Sequence, residues 1–204
     1  ERGLKASSVN AYARAVNAYL HWCGSPLRIS KLKEPQLTLP VFKAEDIKKF
    51  VSWKPKRQAD VRLHVLVLTL CACGLRISEA LSLRWGDVNF DDLLMTVHGK
   101  GGKDRTIPFS FELRRHLARH QIKSGAGSFV FATRAGHALD IDNCRRDIKQ
   151  LCRRLGFTPV ARTLHAFRHT MASAYIKSGG SVTMLQRILG HSHITTTLRY
   201  VHIQ

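Results

Sequence analysis

Apolar residues recur at helical spacing along most of this chain, and the strongest example is the stretch 59–73. The run that begins at Val65 is apolar on every side, so we expect this helix to lie at the centre of the core. Gly74 follows it, and glycine commonly ends a helix. The same spacing, with polar caps and glycine stops, predicts further helices at 7–23, 44–53, 79–83, 111–123, 141–155, 164–177 and 182–189, and a short half-apolar segment at 194–201.

Strand patterns are confined to the middle of the chain. Residues 93–98 and 105–109 are short strand candidates, and the glycine-rich stretch 99–104 between them predicts a hairpin. Residues 128–132 are expected to add a third strand. We therefore predict an α+β fold that is mainly helical and contains a small antiparallel three-stranded sheet.

A linker is predicted between residues 26 and 40, where three prolines and several lysines occur without any periodicity. The helix 7–23 carries an apolar stripe that it cannot bury by itself, whereas the rest of the chain is long enough to enclose one good core. We place the domain boundary near residue 40, which divides the chain into 1–39 and 40–204. Because the chain opens on Glu1 and lacks an initiator methionine, we also expect a segment to precede it in the full protein.

The charge of the chain is strongly one-sided. Thirty-three Lys and Arg residues against 14 Asp and Glu residues give a formal net charge of +19, which attracts polyanions. No acidic residue follows Asp147, so the last part of the chain is expected to face an anion. Nucleic acid is the leading partner, although charge alone does not separate a generally basic protein from a sequence-specific DNA enzyme.

Cysteine usage and hydropathy bear on the compartment. Five cysteines are an odd number without short, regular spacing, so a disulfide framework is not predicted and a reducing compartment is favoured. The longest apolar run is about half of the ~20 residues that a bilayer-spanning helix needs. No charged-then-apolar signal segment opens the chain. We expect a cytoplasmic protein with no membrane partner.

The candidate chemistry lies mostly in the last 40 residues or so, and each piece is ambiguous by itself. His165 and Arg168 fall side by side at the edge of a predicted core stripe, about 60° apart on the helix, where both can reach one ligand. The alternative is that a surface histidine and a surface arginine lie three residues apart by chance. His191 follows a helix-ending glycine and could be a cap, and a tyrosine such as Tyr200, close to the end of the sequence, is more often a packing residue. The predicted core stripe consists of Leu164, Phe167, Met171, Ala174 and Tyr175.

Six motifs occur along the chain in a fixed order: Gly74-Leu75-Arg76-Ile77-Ser78-Glu79-Ala80, Leu83-Arg84-Trp85-Gly86-Asp87-Val88, His98-Gly99-Lys100-Gly101-Gly102-Lys103, His165-Ala166-Phe167-Arg168-His169, Leu189-Gly190-His191-Ser192 and Thr196-Thr197-Leu198-Arg199-Tyr200. Taken together, they resemble the catalytic domain of the tyrosine recombinase (phage integrase) family, especially its Xer-like bacterial members. The resemblance covers about 39–204, and 7–23 is similar to the end of the family's helical core-binding domain. Residues 1–39 are therefore expected to be a remnant of that SAM-like domain plus a linker, and 40–204 the catalytic domain with the family's DNA breaking-rejoining fold.

The resemblance implies a role for the residues that attack and hold a phosphodiester. Tyr200 is implied to be the nucleophile, and it needs a proton acceptor or a strong positive field because a phenol is protonated at pH 7. By analogy with the family, His165 is that acceptor. Arg76 and Arg168 are implied to bind the two non-bridging oxygens, where planar guanidinium groups stabilise the charge of the transition state.

The remaining implied roles concern the leaving group and the support of the site. Lys100 at the hairpin tip is implied to protonate the leaving 5′ oxygen, and Lys103 is the competing candidate for this role. His191 is expected to donate a further hydrogen bond to the phosphate. Glu79 is expected to support the site without touching substrate.

The resemblance thus implies a site-specific recombinase that cleaves and rejoins DNA through a covalent 3′-phosphotyrosyl intermediate. Its expected partner is double-stranded DNA with a specific recombination site, bound by a tetramer at the nucleoid, with a monomer as the alternative for the protein alone. No cofactor, metal or ATP is expected.

Several other interpretations remain open. A type IB topoisomerase uses a similar constellation, and a catalytically silent DNA-binding protein could keep the same fold. A metal site built from the histidines at 165, 169, 191 and 193 is disfavoured because acidic ligands are missing from this part of the chain. The stretch 99–103 is no phosphate-binding P-loop, since it lacks the required glycine and lysine order and lies between predicted strands.

Overall fold

The computed structural model describes residues 4–33, 39–99, 102–124 and 128–201. The chain separates into two compact units, Glu1–Thr38 and Leu39–Gln204. The helix of the first unit is α1, Ala6–Trp22, one residue from the predicted bounds at each end. The side-chain amides of Asn10 and Asn17 on α1 each donate to the backbone carbonyl and accept from the backbone N–H of one residue in the extended segment after it, Leu32 and Ile29 respectively.

The second unit is mainly helical and is built around one buried helix, as predicted. Nearly every side chain from Leu63 to Leu70 is buried, because the helix that carries them is packed on several sides by its neighbours. The helices of this unit are α2 Ala44–Ser52, α3 Gln58–Cys73, α4 Ile77–Ser82, α5 Phe111–Ser124, α6 Ile141–Arg154, α7 Thr163–Lys177, α8 Val182–Leu189 and α9 Ile194–Leu198, with a 3-10 turn at Trp85–Asp87.

A small antiparallel sheet of three strands lies beside the helices, in the order β1-β2-β3. The strands are β1 Val88–Asn89, β2 Leu94–Val97 and β3 Arg105–Pro108. In the predicted hairpin β2–β3, Met95 pairs with Ile107 and Val97 with Arg105, so apolar residues from both strands face the core.

The predicted third strand at 128–132 is wrong. Val130 and Phe131 are both fully buried, so the segment does not alternate as a one-sided strand does, and its isolated bridges join Phe129 to Arg84 and Ala132 to Ala138. The third strand is β1, whose two residues are too few for period-two alternation to show in the sequence.

The described core of the second unit forms two clusters. The larger extends from α2 to the first turns of α7 and includes Phe50, Leu66 and Phe167, each fully buried. The smaller consists of Ala172, Leu185, Leu189 and Tyr200, packed against partly buried neighbours that include Met171 and Tyr175.

The predicted stripe on α7 is wrong in two places. Ala174 is exposed, whereas Arg168 is 4% exposed and lies inside the protein. The reason is that α3, α6 and α8 all pack on α7, so its burial does not follow a single apolar face. None of the described helices combines the length and the hydropathy needed to cross a lipid bilayer.

Candidate active site

Arg76 is positioned by the turn between α3 and α4. Gly74 ends α3 in the left-handed conformation, at φ 60°, and a Cβ there would lie 2.9 Å from the methyl carbon of Met171, so glycine allows α7 to approach this turn. Arg76 then precedes α4, with its side chain 44% exposed. The Glu79 carboxylate accepts hydrogen bonds from both the backbone N–H of Arg76, at 2.8 Å, and its guanidinium, at 2.7 Å. The carboxylate therefore fixes the direction of the arginine.

Glu79 is held on its other side by Arg105, which the sequence analysis did not identify. The Arg105 guanidinium donates to both oxygens of Glu79, at 3.1 and 2.8 Å, and its Nε donates to the Ile188 carbonyl. Burial by itself raises the pKa of Glu79, but hydrogen bonds from Arg105 and Arg76 outweigh it and lower the pKa to about 2. The sequence did contain a signal for this role. Arg105 begins a predicted strand that packs on the core, and a charged residue that becomes buried needs a partner of opposite charge.

Arg168 is buried on α7 between two helix ends. Its guanidinium donates to the carbonyl of Gly74 after α3, at 2.9 Å, and to the carbonyl of Leu189 at the end of α8, at 2.6 Å. Burial and the nearby cation of Arg76 lower the pKa of Arg168 to about 10, which leaves it charged at neutral pH. Because a guanidinium has five N–H donors, these two bonds orient the group and leave donors for a ligand.

Tyr200 lies inside the smaller core cluster and is 4% exposed. Its hydroxyl lies 3.0 Å from Nδ1 of His169, and its ring stacks on that of His191, with centroids 6.4 Å apart and planes 8° from parallel. Burial raises the pKa of Tyr200, although Arg168 and other nearby cations oppose that effect. The phenol is therefore protonated at neutral pH and needs an acceptor if it is to act as a nucleophile.

His191 is fixed by the end of α8 and by α9. Gly190 adopts φ 66° after α8, and Nδ1 of His191 lies 2.9 Å from the Thr197 hydroxyl on α9. Burial and the cations of Arg168 and Arg76 lower the pKa of His191 to about 4. Its imidazole is therefore neutral at physiological pH, with one nitrogen engaged by the threonine.

A cavity of about 540 Å³ opens between α4, α6 and the start of α7. Exposed His165 and buried Arg168 both line it, together with Arg76 from the opposite side. Burial, followed by the neighbouring arginines, lowers the pKa of His165. The cavity is also lined by Arg145, Lys149 and Arg162, and its described lining contains no acidic side chain, so it is suited to an anion.

A second cavity, of about 820 Å³, lies on the other side of Arg76. Lys103 from the β2–β3 hairpin and His191 both line it, along with Glu79 and Arg105. Lys100 lies outside the described residues, so its predicted place at the tip of the hairpin stays a prediction. Arg76 lines both cavities and therefore connects the hairpin side of the site with the α7 side.

The structure thus brings together residues that are far apart in sequence. Arg76, Arg168 and Tyr200 are close enough for each arginine to influence the pKa of the tyrosine. His169, which the sequence analysis weighed only as a metal ligand, contacts the Tyr200 hydroxyl. Across the part of the chain that the structure describes, no group of three or more His, Cys, Asp or Glu side chains is arranged to hold a metal ion.

Comparison with known proteins identifies the family of this chain. The sequence model of the Phage integrase family matches residues 40–204. The chain belongs to this family.

The relatives in sequence are recombinases. The chain is 33% identical to tyrosine recombinase XerC of Xanthomonas campestris pv. campestris (strain B100), with 99% of this chain and 66% of that protein covered. It is 31% identical to tyrosine recombinase XerA of Pyrococcus furiosus, with 99% of this chain and 72% of that protein covered. The chain thus spans slightly less than two thirds of the length of the Xanthomonas relative.

Solved structures show the same fold. A crystal structure of XerA recombinase matches with a TM-score of 0.72 and 23% identity, covering 94% of this chain and 69% of that one. The Tn1549 transposon integrase in complex with transposon right end DNA matches with a TM-score of 0.80 and 20% identity, covering 98% of this chain and 76% of that one. These matches confirm the predicted mainly helical fold with its small antiparallel sheet.

Proposed function

We propose that this chain is the catalytic part of a site-specific DNA recombinase, which cleaves and rejoins strands through a covalent 3′-phosphotyrosyl intermediate. The observation that carries the proposal is the convergence of Arg76, Arg168 and Tyr200 from three separate segments beside a cavity lined by basic residues. Membership in the Phage integrase family supports the same chemistry. The substrate is double-stranded DNA that contains a specific recombination site.

The two arginines bind the non-bridging oxygens of the scissile phosphate. Each is held by a different part of the fold, Arg76 by Glu79 and Arg168 by two backbone carbonyls, so neither has to reorganise when charge develops. Loss of one such fixed donor typically costs about 3 kcal/mol of transition-state stabilisation. His191 adds a hydrogen bond from the nitrogen that Thr197 does not engage.

The leaving 5′ oxygen requires a proton, which the ammonium group of the hairpin lysine Lys100 supplies. Lys103 is the alternative donor, since it lines the cavity shared with Arg76 and His191. His165, which lines the cavity on the α7 side, is the family's candidate for the proton of Tyr200. The phosphotyrosine retains the bond energy, so a 5′-hydroxyl of a second strand reverses the step without ATP or a metal.

The remaining assignments concern assembly. Residues 1–39 are the end of a helical core-binding domain followed by a linker, and 40–204 the catalytic domain. Full recombination requires a tetramer on DNA at the nucleoid, because two duplexes must each be cut on both strands.

A suicide substrate tests the proposal. A nick close to the scissile phosphate releases a short 5′-hydroxyl strand after cleavage and traps the protein on DNA, which a denaturing gel resolves as a shifted band. We expect the wild-type protein to form this band in the presence of EDTA, and Tyr200→Phe to form none while it still binds DNA. A band that persists in Tyr200→Phe, or that requires Mg²⁺, contradicts the proposal.

The same preparation distinguishes the related activities. A recombinase joins strands between two copies of its site, whereas a topoisomerase relaxes a supercoiled plasmid that lacks the site. A catalytically silent binder shifts DNA on a native gel and gives no covalent product with any substrate.

A further inference from the structure

We propose that His169 receives the proton of the Tyr200 hydroxyl when that hydroxyl attacks the phosphate. This inference rests on the proposed function and assigns a catalytic role to a histidine that the family resemblance left without one. His165 and His169 both line the cavity beside Arg76, but within the described part of the chain only His169 lies within hydrogen-bonding distance of the Tyr200 hydroxyl.

The geometry of the contact carries the proposal. Nδ1 of His169 lies 3.0 Å from the Tyr200 hydroxyl oxygen, which is the distance of a hydrogen bond between the two groups. The rings are tilted by 45° with centroids 5.8 Å apart, so the contact is made edge to edge through these atoms. Tyr200 is 4% exposed, which limits access of water to its hydroxyl as a competing acceptor.

The protonation states suit this direction of transfer. Burial, followed by the charges of His165 and the nearby arginines, lowers the pKa of His169 to about 4, so its ring is neutral at physiological pH. A neutral imidazole with its proton on Nε2 presents a lone pair at Nδ1 and accepts from the phenol. The titratable and charged groups that influence His169 or contact it are His165, Arg199, Arg168, Arg162, His191 and Tyr200.

His165 is placed differently. It is exposed in the first turn of α7, and no hydrogen bond joins it to Tyr200 in the described part of the chain. Its neighbours in the cavity are the arginines that bind the phosphate. This position suits contact with the phosphate, whereas the position of His169 suits contact with the nucleophile.

The step balances with groups already named. A bond forms between the Tyr200 hydroxyl oxygen and phosphorus while the bond from phosphorus to the 5′ oxygen breaks. The hydroxyl proton moves to Nδ1 of His169, and the 5′ oxygen takes a proton from the ammonium group of the hairpin lysine. Rejoining runs the same transfers in reverse, with His169 returning the proton to the departing phenol.

The decisive variant is His169→Asn, whose side-chain oxygen can sit where Nδ1 lies and accept a hydrogen bond, but cannot take up a proton. The substrate carries sulfur in place of the 5′ bridging oxygen, because a thiolate leaves without protonation and cleavage then reports on the nucleophile alone. We expect covalent product to form roughly 10²–10⁴-fold more slowly than in the wild type. The control is His137→Asn, an exposed histidine in the turn before α6, which should cleave at the wild-type rate.

The pH profile distinguishes proton transfer from mere support of the fold. Without an acceptor, Tyr200 must ionise by itself, so the cleavage rate of His169→Asn should rise about tenfold per pH unit below the pKa of the phenol, which burial raises above its ordinary value. The wild-type rate should depend on pH much less steeply between pH 7 and 9. A His169→Asn profile parallel to that of the wild type overturns the proposal.

A reaction that bypasses Tyr200 completes the test. A DNA strand that ends in a 3′-p-nitrophenyl phosphate is joined to a 5′-hydroxyl strand with nitrophenolate as the leaving group, so neither Tyr200 nor its acceptor takes part. His169→Asn and Tyr200→Phe should both retain this joining activity. Loss of it in His169→Asn would show general damage to the site and would overturn the assignment.

The outcomes also separate this inference from the proposed function. If Tyr200→Phe loses the covalent band and His169→Asn cleaves like the wild type, the recombinase chemistry stands and the role of His169 fails. If His165→Asn shows the steep pH profile instead, the proton goes to His165. A covalent band in Tyr200→Phe refutes the recombinase chemistry itself, whatever His169→Asn does.

Discussion

Replacement of Glu79 by glutamine is expected to destabilise the protein because it removes the charge that joins two arginines. The Glu79 carboxylate is 7% exposed and accepts from Arg76 and from Arg105, which is itself 11% exposed. Glutamine keeps the shape of the side chain but cannot accept at both ends, so one donor of the buried Arg105 loses its partner. Removing one member of a buried ion pair is costly since the other charge stays desolvated.

The magnitude follows from the pKa of Glu79, which is lowered from the ordinary 4.5 to about 2. Each pKa unit corresponds to about 1.36 kcal/mol of preference for the charged form, so the ionised carboxylate stabilises the fold by about 3 kcal/mol at pH 7. A lowered pKa in the folded state means that this stabilisation is present above pH 4.5 and disappears as the pH falls toward 2. At pH 3 about 1.4 kcal/mol should remain.

Urea unfolding followed by circular dichroism measures this difference. Glu79→Gln should be about 3 kcal/mol less stable than the wild type at pH 7, and the gap should narrow steadily down to pH 3. Salt at about 0.3 M limits the self-repulsion of the basic chain in acid. The matched control is Glu112→Gln at the exposed first turn of α5, which should change stability by about 0.5 kcal/mol or less. A Glu79→Gln deficit that is below about 1 kcal/mol at pH 7, or that does not change with pH, refutes the reasoning.

Three further predictions concern other parts of the site. Gly190→Ala should lower the free energy of unfolding in urea more than Gly179→Ala does. Both glycines have positive φ, but only at Gly190 would a Cβ approach Arg105, at 2.9 Å from its Cδ. Equal losses would contradict this prediction. Because the pKa values of His169 and His191 are lowered to about 4, the folded protein should lose stability as the pH falls from 6.5 to 4, by about 1 kcal/mol for each partly exposed ring. The melting temperature of a double His→Asn variant should fall less over that range, and an identical fall would count against the lowered values. Iodoacetamide should label the native protein at exposed Cys23 alone among the described cysteines, as judged by mass spectrometry. The reason is that burial raises the thiol pKa of the other four to about 11 or 12. Rapid labelling of a second thiol would contradict this prediction.

Apolar residues at helical spacing and the glycines that follow them predicted the bounds of the long helices well. The bounds of α3 and α7 lie within one residue of those predicted from the sequence. The strand β1 was missed because two residues cannot display alternation, and 128–132 was mistaken for a strand because consecutive buried residues also occur in a turn packed on the core. Local sequence therefore predicts the positions of helices more reliably than it predicts which short segments pair as strands.

The candidate site was predictable where motif resemblance implies a direct chemical role for a residue. Arg76, Arg168 and Tyr200 follow from that resemblance, and the structure places them close together. Arg105 contacts Glu79 and His169 contacts Tyr200, and no local spacing in the sequence reveals these tertiary contacts. For His169 the spacing from His165 even suggested a different chemistry, that of a metal ligand.

The small hydrophobic cluster around Tyr200 has a consequence for how the site responds to its surroundings. Tyr200 is anchored by few apolar neighbours, and Thr197 is the buried residue of the five-residue helix α9 that precedes it. Hydrophobic stabilisation scales with buried area, so this segment can open locally at a fraction of the free energy that unfolds α3. Amide hydrogen exchange should accordingly be faster at 194–201 than in α3. Under the proposed function, the cleavage rate is scaled by the fraction of time that this last turn is folded.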